Sequence, residues 1–91
     1  MKRKSLIHTR TTRTWTGNEL RLEYFITNEP IMDGCAENYG VEIRARTGTT
    51  EEYAGVDGIT MLGSRILALI DLLAAGSVTP TGLYETVQEW L

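Results

Sequence analysis

Lys2, Arg3, Lys4, Arg10, Arg13 and Trp15 place five cations and one large aromatic ring within the first fifteen residues. This is the combination that holds a nucleic-acid backbone, with guanidinium and ammonium groups on phosphates and a ring against a base. The first fourteen residues carry no acid and are therefore +5; the rest carries Arg21, Arg44, Arg46 and Arg65 against twelve Asp and Glu, which is −8, and the sum is the net −3 of the 91-residue chain. An acidic body repels a long duplex, and Arg10 and Arg13 differ in strand parity, so the basic set is split between two faces. Pairing with the chain's own acidic strands is the alternative use of the same charge. Nucleic-acid binding through the basic first strand is thus the second reading of this sequence, not the first.

Cys35 and His8 are the single cysteine and the single histidine. A thiolate–imidazolium nucleophile needs the two in contact and a third group to orient the ring. Nothing in their spacing requires it, and Cys35 is the one residue on which an enzymatic reading rests. The same pair cannot complete a four-ligand zinc site, and one cysteine cannot form an internal disulfide. Gly58-Ile-Thr-Met-Leu-Gly63-Ser64-Arg65 has the glycine spacing of a phosphate-binding loop, but Ser64 stands where lysine must reach the phosphates. Glu51 and Glu52 point to opposite faces of a strand and cannot act as an acid–base pair. Asp33, Glu37 and Glu42 read as a solvated acidic edge. No catalytic residue, metal ligand or cofactor follows.

The elements that must position these residues are legible from periodicity. Leu20, Leu22, Tyr24 and Ile26 alternate with Arg21, Glu23, Phe25 and Thr27, and Tyr39, Val41, Ile43 and Ala45 alternate with Gly40, Glu42, Arg44 and Arg46. Both runs predict strands with one wet face. Ser5–Trp15 predicts a polar edge strand, Thr16-Gly17-Asn18 a hairpin turn, and Glu51–Val56 a fourth strand. Residues 28–38, which carry Cys35, read as the longest loop. After Asp57-Gly58 the period changes: Leu62, Ile66, Leu69, Ile70 and Leu73 define a helix face, with Thr60 as N-cap and Gly76 as the terminating glycine. Thr79-Pro80 opens a second helix whose apolar arc holds Leu83, Tyr84, Val87, Trp90 and Leu91. Glu85 and Glu89 lie on its exposed side, which argues against a DNA-recognition helix. The expected fold is one α+β domain over residues 1–91, a four-stranded antiparallel meander followed by a helical hairpin on one face.

Tyr39-Gly40-Val41-Glu42-Ile43, the leucine-rich run through Ile70-Asp71-Leu72-Leu73, Val78-Thr79-Pro80 and the ending Val87-Gln88-Glu89-Trp90-Leu91 resemble a family of small uncharacterised bacterial proteins, mostly from Firmicutes, known as a domain of unknown function. The resemblance covers roughly residues 39–91. It implies strands followed by two helices; it implies no activity, substrate or site residue.

A chain of this length buries only about 60% of its unfolded surface, and the first helix is apolar over more than half its circumference. Leu67 and Leu72 sit at the margins of that face, where a second subunit would reach. The sequence therefore predicts a non-enzymatic protein-contact or regulatory module acting as a homodimer, joined through the first helix or by edge-strand pairing. Met1-Lys-Arg-Lys lacks the apolar run of a signal peptide behind it, and Arg65 and Asp71 interrupt the longest hydrophobic stretch, so a cytosolic protein with no membrane segment is expected.

Overall fold

Alternation of apolar and polar residues forces each strand to bury one face, and the two helices supply the cover. The structure is a computed structural model and describes residues 2–91. Its elements are β1 (Arg3–Arg13), β2 (Glu19–Ile31), β3 (Ala36–Thr47), β4 (Thr50–Thr60), α1 (Gly63–Ala75) and α2 (Pro80–Trp90). The strands form a single antiparallel sheet in the order β1-β2-β3-β4. Leu22, Tyr24, Ile26, Val41, Ile43 and Ala45 of the sheet pack against Ile66, Leu69, Ile70, Leu73 and Ala74 of α1 and Leu83 and Val87 of α2. The expected ββββαα fold is therefore the observed one.

The predicted 28–38 loop is not a loop. β2 runs on to Ile31 and β3 begins at Ala36, with Asn28↔Tyr39, Glu29↔Asn38, Pro30↔Glu37 and Ile31↔Ala36 in register. The reversal takes only Met32–Cys35, through positive φ at Met32, Asp33 and Gly34. β1 ends opposite Asn28, so Pro30 lies where β2 has a neighbour on one side only and its missing N–H is tolerated.

The helix boundaries also shift. β4 extends through Thr60, so Thr60 does not cap α1; its Oγ1 accepts the Leu62 N–H at 3.1 Å, and Leu62 occupies the cap without a side-chain bond. Gly76 keeps φ −88, while Ser77 takes the left-handed turn at φ 48. Ser77 N–H donates to Ala74 O and Val78 N–H to Leu73 O, the paired bonds of a Schellman ending. The terminating position is thus one residue later than the glycine suggested. Leu62, Tyr84 and Leu91, expected on apolar helix faces, are exposed.

Two irregularities shape the sheet. β1 shifts register between Leu6 and His8, which puts Leu6 on the helix-free face and His8 on the helix side. In β4 the register passes from Val41↔Val56 to Tyr39↔Thr60, so Asp57, Gly58 and Ile59 bulge out opposite Gly40. A side chain at Gly40 would meet Val56 O at 2.4 Å and Asp57 Cα at 2.9 Å; only glycine lets the bulge cross there.

Candidate functional site

The helix-covered side of β1 is used to dock α1. His8 Nε2 and Asp71 Oδ1 lie 2.7 Å apart, and Arg10 Nε donates to Ala74 O at 2.9 Å, at the end of α1 where carbonyls lack helical partners. Next to it the Tyr24 hydroxyl donates to Val78 O at 2.8 Å; burial pushes this phenol up to about 12, against the opposing pull of Arg10.

The opposite side of the sheet has no helix over it, yet its centre is buried. Glu23, Phe25 and Thr27 of β2 are almost fully covered. Lys4 Nζ and Arg44 Cζ lie 4.8 and 5.4 Å from the Phe25 ring centre, so two long side chains shield it from water. Lys4 reaches Glu42 at 3.4 Å, and Arg44 Nε donates to Glu23 at 2.9 Å; that hydrogen bond raises the Arg44 guanidinium above its ordinary range. Arg46 Nε donates to Glu51 at 2.9 Å. At one end of this open face Lys2 meets Asp57 at 2.7 Å and is raised by that bond, closing a polar trough of about 170 Å³ lined by Thr27, Asn28, Glu29, Asn38 and Gly58.

The basic residues singled out by sequence are therefore dispersed. Lys2 and Lys4 pair with carboxylates, Arg10 ends α1, and Arg13 Nη1 holds the β1–β2 turn through Gly17 O at 3.0 Å. Arg3 stands opposite Asn28, at the far end of β1 from Arg13. Trp15 projects from that turn with 98% of its surface exposed. Cys35 is exposed at the β2–β3 reversal, about seven residues along β2 from the His8↔Tyr24 pair, or roughly 24 Å at 3.4 Å per residue, so the two do not meet. Gly58 turns the β4 bulge at φ +65 rather than cradling an anion.

What sequence reading missed lies at the other end of the open face. Arg21 of β2 stands directly opposite Arg46 of β3, and Arg13 lies diagonally across from Arg21 on β1. The signal was their common wet-face parity. Bringing them together required the β2–β3 register, which the supposed loop concealed.

On the helical side, Leu67 and Leu72 are 48% and 49% exposed on either flank of α1. Between them run Ser64, Ala68, Asp71 and Ala75, all exposed. Leu72 continues into a groove of about 230 Å³ with Thr86, Glu89 and Trp90 of α2, and Arg65 stacks over the Trp90 ring at 4.5 Å. No helix among the described residues is long and apolar enough to cross a membrane.

An open antiparallel sheet with a helical hairpin on one face is an α+β domain that offers two unlike surfaces. The chain belongs to a family of unknown function, DUF6514, which matches residues 3–91 and so includes the basic first strand outside the segment that carried the sequence resemblance. No curated protein and no solved structure matches it.

Proposed function

We propose that this chain is a bacterial, cytosolic, non-enzymatic protein-contact module that acts as a homodimer through the outer surface of α1. The observation that carries this reading is the pair of half-exposed leucines, Leu67 and Leu72, flanking the small residues Ala68 and Ala75 beside the Trp90 groove. Small residues between larger apolar ones let a second helix approach closely, and a two-fold contact would present four leucines to one another. Full burial of a leucine is worth roughly 1.5–3 kcal/mol; a half-exposed one offers about half, so association needs all four together. A single accessible thiol suits a reducing compartment.

Sedimentation or light scattering at high micromolar concentration is expected to report a dimer. Leu67→Glu is expected to return it to a monomer with an unchanged circular dichroism spectrum, because Leu67 is on the flank and not in the core. A wild-type monomer at that concentration refutes the proposal, as does a dimer that survives both Leu67→Glu and Leu72→Glu.

A further inference from the structure

At the turn end of the open face three arginines meet on adjacent strands. Arg21 and Arg46 are direct cross-strand partners, Arg13 is the diagonal neighbour of Arg21, and all three are exposed. Like charges directly opposite across a ladder repel. Arg46 is relieved by Glu51, and Glu19 stands opposite Arg13, but among the described residues Arg21 has no carboxylate within ion-pair distance. A bound oxyanion would remove this repulsion, and the planar forks of arginine suit it better than lysine would.

Trp15 follows Arg13 by two residues, on the β1–β2 turn at the same end of the sheet. The turn bearing Trp15 is tied by Thr14 N–H to Asn18 O and Gly17 N–H to Thr14 O, both at 2.8 Å, by Asn18 N–H to Thr14 Oγ1 at 3.2 Å, and by the bond from Arg13 to Gly17 O. A tryptophan left 98% exposed on so well fastened a turn is an unused apolar platform. Tyr53, 71% exposed, lies on the open face of β4, opposite Arg44. Along the centre of the face Lys4 and Arg44 are paired with Glu42 and Glu23, so only the arginine end offers unneutralised positive charge, and a short flexible strand can reach it alone.

We propose that Arg13, Arg21 and Arg46 bind phosphodiester groups of a single-stranded nucleic acid while Trp15 stacks on one of its bases. The site differs from the basic first strand as a whole: Arg13 is its one cation from β1, and Arg21 of β2 and Arg46 of β3 complete it. It lies on the face opposite the helices and is independent of the dimer surface.

The test uses the full chain and a fluorescent ten-nucleotide dT strand, followed by anisotropy and by tryptophan quenching, in wild type and in Trp15→Ala, across a salt series. Binding is expected at low salt, with indole quenching, and weaker for a ten-base-pair duplex. Arg21→Gln and Arg46→Gln should each reduce the log–log salt slope by about 0.7, the value for one contact on a single strand. Arg3→Gln removes the same charge at the distant end of the sheet and should leave the slope unchanged. Trp15→Ala should weaken binding several-fold at constant slope, in line with a lost stack. Absence of binding at about 20 mM salt overturns the site. So does equal loss in Arg3→Gln and Arg21→Gln, which would make the effect one of net charge, and so does tighter binding of the duplex.

Discussion

The two faces of the sheet solve the same burial problem by different means. On the helix-covered face, aliphatic side chains from the sheet and both helices interlock and leave Leu22, Val41, Ile43, Leu69, Ile70 and Leu73 with no accessible surface. On the open face, Phe25 reaches 7% exposure with no element above it, because Lys4 and Arg44 lie across its ring and Glu23 and Glu42 anchor their charged ends. The first mode depends on jigsaw fit; the second depends on ion pairs that fix long, flexible stems. A helix-free face can therefore be ordered without being a core, and its order need not extend to its ends.

The largest effect is expected from side-chain truncation. Leu69→Ala in the close-packed face should cost about 3 kcal/mol in chemical denaturation, since the cavity cannot collapse. Phe25→Ala should cost less than Leu69→Ala although more atoms are removed, because the Lys4 and Arg44 stems can settle into the space. Equal or greater loss at Phe25 would show that the open face is packed as rigidly as the core.

Tyr24 gives a smaller, pH-coded effect. Tyr24→Phe leaves Val78 O without its donor and should cost about 1 kcal/mol at neutral pH. The folded phenol titrates near 12 against 10 when unfolded, so the unfolded state loses its proton first. Stability from this group is complete below pH 10 and is lost as the pH rises from 10 through 12. Thermal midpoints followed over that range should fall more steeply in wild type than in Tyr24→Phe; parallel curves would contradict the burial of the hydroxyl.

The smallest contrast lies between two arginine–glutamate pairs of equal length on the open face. Arg44–Glu23 and Arg46–Glu51 both measure 2.9 Å, but the Glu23 side chain is 8% exposed and that of Glu51 46%. Arg46→Met should leave stability within about 0.5 kcal/mol, as exposed pairs usually do. Arg44→Met should lower the thermal midpoint measurably more, because it strands a covered carboxylate. Indistinguishable melting curves would mean that Glu23 is hydrated in solution.

Local chemistry was enough for the strands, their wet and dry parity, the hairpin turn at Thr16–Asn18 and the two helices, because each depends on neighbours within a few residues. The unlike surfaces were only half visible. Leu67 and Leu72 could be placed at the helix margins from the 3.6-residue period, and both are exposed there. Tyr84 and Leu91 shared the apolar arc of α2 but stay in solvent, since the breadth of the contact, which periodicity does not encode, decides which arc residues are covered.

Side-chain polarity along the chain specifies the fold class, the meander followed by two helices, and the separation of an alternating core face from a charged one. Those follow from periods of 2 and 3.6 in side-chain polarity. The tight reversal at Met32–Cys35, and with it the β2–β3 register, emerges from the packed sheet and not from that patterning. That register pairs Arg44 with Glu23 and sets Arg21 against Arg46, at sequence separations of 21 and 25. Strand pairing is non-local: sequence supplies each strand's faces, whereas the point about which two strands fold back decides which side chains meet.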